Sequence, residues 1–297
     1  MIHVAPSRPA ASYQAAVARI AALQACDESP RLRADSGTQA LLHGQRTARA
    51  VVLFHGYSNG PLQWLRFGQR CQARGYNVLI PRVPGHGWQD RHSTASDLTA
   101  ETLLRVTQES VDIAQGLGAR VVVMGLSMGG AMAAWAAHHR ADVALAVLVA
   151  PAFAVQRVPQ RLSAPLSAVV RRLPNVNLWW DAKLREKLPT SPHANLKMSS
   201  RAIAAILRVG NAVVRAAQTQ PPAAQRIVLI TSPHDETVDN AAAERVAAAW
   251  QRHGYHAFYR EYLDPAIPFD HDLIDPLSPF EQTAIVYPLL ERLLEAS

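Results

Sequence analysis

The chain has 297 residues, 49% of them apolar and 18% charged. A chain of that length buries roughly three quarters of the surface its unfolded form exposes, which excludes disorder and a fold held only by staples. Thirty Lys plus Arg against 23 Asp plus Glu give a net charge of +7, but only Lys183, Lys187 and Lys197 are lysines and the arginines are scattered. No dense basic tract with interleaved aromatics marks a nucleic-acid surface, so nucleic acid is excluded as a partner.

From the N-terminus, Met1 to Ala25 shows neither a basic region leading into an apolar core nor a cleavage site, and a cytoplasmic location is the expectation. Ser12 to Ala25 reads as an extra N-terminal helix. Cys26 and Cys71 share no CxxC spacing or ligand cluster, so neither a disulfide framework nor a metal site is expected. A strand around Leu41 to His43, turning at Gly44, is predicted to form a hairpin into Ala50–Phe54. Nearly continuous Val/Ile/Leu runs at Ala50–Phe54, Asn77–Ile80, Arg120–Met124, Ala144–Val149 and Arg226–Thr231 are the pattern of strands buried on both faces. Tyr255–Leu263 alternates and reads as an edge strand. Between the strands, apolar residues at three- and four-residue spacing predict helices at Pro61–Arg74, Thr99–Gly116, Met128–His139, Asn240–His253 and Pro279–Leu294. The longest apolar run, Val143 to Val155, is broken by Pro151 and falls short of the roughly 20 residues that span a bilayer.

The expected fold class is α/β, a mostly parallel central sheet flanked by helices. From Pro151 to Pro222 the alternation fails: Pro159, Pro165, Pro174, Pro189 and Pro192, two arginine pairs and a helical segment, Ser200–Gln218, replace it. This stretch is expected to be a mainly helical cap inserted between two core strands, giving a core of 1–150 and 226–297 and a cap of 151–225.

The chemistry-bearing motif lies where strand Arg120–Met124 runs into Gly125-Leu126-Ser127-Met128-Gly129-Gly130 and then a helix of small residues. A serine on such a sharp strand-to-helix turn projects its hydroxyl clear of the sheet, and Gly125 and Gly129 are the bulk-free positions that make room for it. A serine hydroxyl needs a base and an orienting acid. After the cap, strand Arg226–Thr231 ends in Ser232-Pro233-His234-Asp235-Glu236-Thr237-Val238, where sites of open parallel sheets lie, and Asp235 is the candidate acid. Glu236 competes, as does Asp239, which is expected to cap the next helix. Of twelve histidines, His271, just before the last helix, is the candidate base; His138, His139, His253 and His256 read as surface residues. Its neighbours Asp270 and Asp272 are not needed for the triad; they are expected to be solvated or to cap that helix, or, if close, to raise the imidazole's pKa. Strand Ala50–Phe54 ends in His55-Gly56-Tyr57-Ser58-Asn59-Gly60, a loop able to aim the main-chain N–H of Tyr57 at an oxyanion, with the N–H of Met128 as the second donor. The Tyr57 side chain is then free to line a pocket or reach substrate, and His55 packs beneath the loop.

These motifs, with Pro84-Gly85-His86-Gly87 after the next strand, resemble the α/β-hydrolase superfamily, in the carboxylesterase and monoacylglycerol lipase-like branch that is also grouped with the serine aminopeptidases. The resemblance implies an eight-stranded, mostly parallel sheet, a Ser127–Asp235–His271 triad, no cofactor, and cleavage of a small-molecule ester by way of an acyl-enzyme. Aminopeptidase or amidase, carbon–carbon bond hydrolase and cofactor-free perhydrolase chemistries would use the same triad; a non-catalytic binding member would have lost part of it. The chain departs from the pattern at Asp270, where the family often has glycine before its histidine. Leu178-Trp179-Trp180 and the helix bearing Ile203, Ile206, Leu207 and Val209 are candidates for an apolar acyl wall or for simple packing. Arg157, Arg161, Arg171 and Arg172 are the place where charge would bias the site toward acidic substrates. Substrate identity and oligomeric state stay open at this level.

Overall fold

The computed structural model describes residues 2–156, 165, 167–264 and 271–295. Its elements are α1 (Tyr13–Asp27), β1 (Gln39–Leu41), β2 (Thr47–Phe54), α2 (Leu62–Ala73), β3 (Asn77–Ile80), α3 (Ala100–Leu117), β4 (Gly118–Leu126), α4 (Met128–His139), β5 (Val143–Val149), β6 (Asn177–Trp179), β7 (Lys197–Ser199), α5 (Ser200–Ala217), β8 (Ile227–Thr231), α6 (Asn240–Arg252), β9 (Phe258–Tyr262) and α7 (Thr283–Glu295).

Among the described residues the main sheet has seven strands in the order β1-β3-β2-β4-β5-β8-β9, all parallel except β1. Every residue of β3, β5 and β8 is buried, as a run of Val, Ile and Leu without alternation demands, so helices cover both faces. α3, α4 and α5 pack side by side. α2 and α7 pack against each other through Phe67 and Tyr287 and through Arg70 and Arg74, which pair with Glu291. β9 is the edge strand the sequence predicts, and it carries exposed Tyr259 and Tyr262.

Three sequence expectations change. β1 does not form a hairpin with β2; it pairs antiparallel with β3, Gln39 opposite Ile80. Gly44 does turn the chain, at φ +75°, but Asn77 fixes where it goes, accepting the His43 N–H and donating to the carbonyls of Gln45 and Leu117. The eighth strand implied by the resemblance is missing among the described residues. The preceding segment is spent on α1, which docks on α3 so closely that a Cβ on Gly116 would lie 2.5 Å from the Ser12 carbonyl. Asp112 ties this N-terminal segment down: it accepts from the Ser7 hydroxyl and the Arg8 N–H and pairs with the buried Arg140. Finally, His138 is buried rather than at the surface. Its Nδ1 accepts the Trp250 indole N–H, and desolvation, followed by the nearby His139 and His253, lowers its pKa to about 4.

The inserted segment is more than helix. β6 and β7 form a small antiparallel sheet, Asn177 opposite Ser199; strands of three residues are too short to show an alternation in sequence. α5 lies in the helical layer against α4, with Gly210 so close to Ala152 and Phe153 that no side chain would fit there. Residues 157–164, with Arg157 and Arg161, lie outside the described residues.

Candidate active site

β4 delivers Ser127 to the site in a conformation few residues adopt, φ +59° and ψ −112°. That strain persists because both neighbours over-determine it. The Ser127 N–H donates to the Val149 carbonyl at the end of β5, and its own carbonyl accepts from Ala131 and Ala152. The flanking glycines are obligatory on steric grounds. A Cβ on Gly125 would stand 2.1 Å from the Gly129 oxygen, and one on Gly129 would stand 2.0 Å from the Phe54 oxygen.

Asp235 follows β8 in a turn that buries it. Its Oδ1 accepts the N–H groups of Thr237 and Val238, and its Oδ2 lies 2.7 Å from His271 Nδ1. Burial alone would raise this carboxyl's pKa, but the charge and hydrogen bond of His271 and the two amides outweigh it, so the carboxyl sits below its ordinary value. Of the competing acids, Glu236 is exposed, and Asp239 caps α6 by accepting the Ala241 N–H while pairing with Arg245.

The loop after β2 is set from beneath by two buried histidines. His55 takes the Val83 N–H at Nε2 and bonds the Gly56 carbonyl through Nδ1. Burial first, and then the neighbouring His86, lowers its pKa to about 3, so it is a neutral structural wedge. Tyr57 meets one of the two expectations for its side chain and not the other. Its ring reaches the cavity edge, but its hydroxyl is fully used, donating to the Thr94 carbonyl at 2.6 Å and accepting the Ser199 N–H at 2.9 Å, and burial raises its pKa to about 12. It bridges the core to β7 instead of reaching a substrate.

Asp272 also departs from expectation. It is half-buried at the cavity floor rather than freely solvated, and it does not cap the last helix. Its two oxygens accept from Asn59 Nδ2 (2.7 Å) and Gln63 Nε2 (2.8 Å), and desolvation, followed by the Asp275 carboxylate, raises its pKa to about 6. Asp275 is itself fully buried, accepting from the Ser191 hydroxyl and lying 2.7 Å from His193 Nε2. Sequence reasoning missed Asn59, Gln63, Ser191, His193 and Asp275. Nothing in their local pattern announces them, because each partner lies far away along the chain. Asp270 is outside the described residues.

A cavity of about 430 Å³ opens over these groups, lined at its base by Ser127, His271, Asp272 and Gln63 and on its apolar side by Trp180 and Leu184. Leu178 is half exposed and Trp179 packs with His92 and Lys197. Ile206, Leu207 and Val209 are buried in α5, which packs on α4, so these are packing residues. Arg171 and Arg172 are exposed and do not line the cavity. Among the described residues no group of acidic, Cys or His side chains is arranged to hold a metal ion, and no helix is long and apolar enough to cross a membrane.

The chain is 28% identical over 95 residues to the thermostable monoacylglycerol lipase of Bacillus sp. (strain H-257), a match covering 31% of this chain and 36% of that protein. The matched part is thus about a third of that relative's length. Among solved structures it superposes on one from the metagenome-derived lipolytic enzymes LipS and LipT (TM-score 0.66, 18% identity, 89% of this chain and 98% of the other). It also superposes on the monoacylglycerol lipase of Paleococcus ferrophilus (TM-score 0.65, 17% identity, 88% and 98%). The family model of the S33 serine aminopeptidases matches residues 45–262, from the start of the parallel sheet to its last strand. On the span of that match, and with the sheet order described above, the chain belongs to the serine aminopeptidase (S33) family of α/β hydrolases.

Proposed function

We propose that this chain is a serine hydrolase that cleaves carboxylic esters through an acyl-enzyme, with Ser127, His271 and Asp235 as its triad. The observation that carries the reading is the 2.7 Å contact between His271 Nδ1 and the buried Asp235 carboxylate, beside a cavity into which a strained Ser127 opens. A carboxylate at Nδ1 fixes the tautomer and leaves Nε2 as the base. His271 takes the Ser127 proton as the hydroxyl attacks the ester carbonyl, and the main-chain N–H groups of Tyr57 and Met128 hold the oxyanion. Collapse expels the alcohol, which carries the proton from His271. Water activated by the same imidazole then adds to the acyl-enzyme, releases the acid and restores Ser127. No cofactor enters these steps. The start of α4 behind Met128 adds the positive end of a helix to the oxyanion side.

The ester preference draws support from the lipases and lipolytic enzymes this chain is similar to and from the apolar side of the cavity, which suits an acyl chain. We place the cap within 151–225, with residues 180–195 as the part that roofs the cavity and α5 as part of the core layer. A fluorophosphonate probe should label the wild type at Ser127 and leave the Ser127→Ala variant unlabelled. Initial rates on p-nitrophenyl esters of increasing acyl length should exceed those on an aminoacyl anilide. Folded wild type that resists the probe would end the serine hydrolase reading, and faster cleavage of the anilide would turn it toward a peptidase.

A further inference from the structure

Asp272 sits one residue past His271, yet its hydrogen bonds run away from the triad, toward the turn that carries Tyr57. Asn59 and Gln63 are both buried, so the orientation of their amides is dictated by what they meet. The Gly56 N–H can only donate, and it points at Gln63 Oε1 at 2.7 Å. That forces Gln63 Nε2 to the other side, where it must find an acceptor. The acceptor is Asp272 Oδ1, while Asp272 Oδ2 takes the Asn59 amide. Asn59 in turn closes the turn by donating its main-chain N–H to the Gly56 carbonyl. Only a group with two acceptors can end both chains.

We propose that Asp272 is a positioning residue that sets the oxyanion turn, Gly56 to Asn59, at its working distance from the nucleophile by gripping Asn59 and Gln63 together. The proposal rests on the serine hydrolase reading above. The carboxylate is not part of the triad, because His271 Nδ1 is already bonded to Asp235. It acts on where the Tyr57 N–H stands when charge appears on the substrate oxygen. An asparagine at 272 offers one acceptor and one donor. Either Asn59 or Gln63 would then face an N–H, or Gln63 would turn over and oppose its own NH₂ to the Gly56 N–H, an uncompensated buried donor in both cases.

The test is a swap that keeps every bond and moves the carboxylate. In the Asp272→Asn, Gln63→Glu double variant, the glutamate accepts from Gly56 and from the new amide, whose oxygen still accepts from Asn59. Asp272→Asn alone should lower kcat on the order of 10- to 100-fold, with KM changed less than about twofold, since the loss is of geometry in the transition state. Gln63→Met, which keeps the side-chain length and removes both bonds, should lose as much. The double swap should recover at least half of the loss on a logarithmic scale. Wild-type kcat in Asp272→Asn would overturn the proposal. So would a swap no better than the single variant, when both melt with the wild type, because the loss would then belong to the charge beside His271. If Asp272→Asn does not fold, Gln63→Met with wild-type kcat refutes the proposal by itself. Failure of the probe to label wild-type Ser127 would end the underlying reading, whereas a labelled wild type with an unaffected Asp272→Asn ends only this inference.

Discussion

Replacing Gly129 by alanine tests whether the turn at Ser127 and the turn from Gly56 to Asn59 are one packed unit. The new methyl carbon would begin 2.0 Å from the Phe54 oxygen, 2.5 Å from the Phe54 carbonyl carbon and 2.9 Å from the His55 oxygen, whereas ordinary contact starts at 3.4 Å. Something must therefore move by 1.4 Å, the difference between 3.4 and 2.0 Å. Neither side yields easily. Phe54 is paired with Gly125 in the centre of the sheet, and its carbonyl accepts the indole N–H of the fully buried Trp64. Overpacking costs about 1–3 kcal/mol where side chains can adjust; here both parties are backbone, so about 3 kcal/mol or more is expected. At about 2 °C per kcal/mol for a chain of this size, the melting point should fall by 6 °C or more. Because the displaced atoms lead directly into Gly56 and Tyr57, ester turnover should fall on the order of 100-fold, the usual penalty for an ångström of misplacement. Gly254→Ala is the control. Its φ is +80° with nothing within 4 Å, so it should cost only the left-handed penalty of about 1–2 kcal/mol and leave turnover alone. Thermal melts and initial rates on a p-nitrophenyl ester measure both. A Gly129→Ala protein that melts and turns over like the wild type would refute the reasoning.

Two further outcomes follow from the same contacts. Asp235→Asn should cut kcat on the order of 10³- to 10⁴-fold through loss of the His271 tautomer, while Asp239→Asn, which touches only the start of α6, should keep turnover near the wild-type rate; the reverse pattern of rates would move the triad. His55, His86 and His138 are buried with pKa values lowered to about 3, about 4 and about 4, so between about pH 6.5 and pH 4 the unfolded chain binds three protons that the folded one refuses. Stability is therefore lost as pH falls, by about 4 kcal/mol per pH unit, offset by about 1 below pH 6, where Asp272, raised to about 6, binds its proton more tightly in the folded state. Denaturant titrations at pH 7, 6 and 5 should show this slope, and His138→Gln should flatten it by about a third; a level profile would contradict the burial of these rings.

The parallel strands and most helices are legible in the sequence because each depends on its own residues. β5 is all Val, Ala and Leu and could only be interior, and Gly125 and Gly129 are written into the motif because no other residue clears the backbone that crosses them. The elements that went astray depend on distant partners. β1 is too short to reveal whether it meets β2 or β3, and its edge position is settled by Asn77 and by the demand of β3 for a second neighbour. His138 looks like a helix-end surface residue until α6 brings Trp250 over it.

The site divides along the same line, and Tyr57 shows why. Its main chain follows from the strand-end position after His55-Gly56, which any reader of the sequence can place. Its hydroxyl does not, since Thr94 and Ser199 come from a loop and from β7, far along the chain. The same is true of Asp272, whose partners Asn59 and Gln63 lie more than two hundred residues upstream. Residue types that perform chemistry are confined to few positions by what the chemistry needs, so their spacing carries information. Residues that hold a catalytic loop in place need only be a donor or an acceptor at the right point in space, and many sequences can supply one. The strained Ser127 and the turn at Tyr57 are therefore held by groups that only the folded chain brings together: Val149 and Ala152 for the serine, Asp272 and Gln63 for the turn, and Ser199 for the contact between that turn and the segment above it.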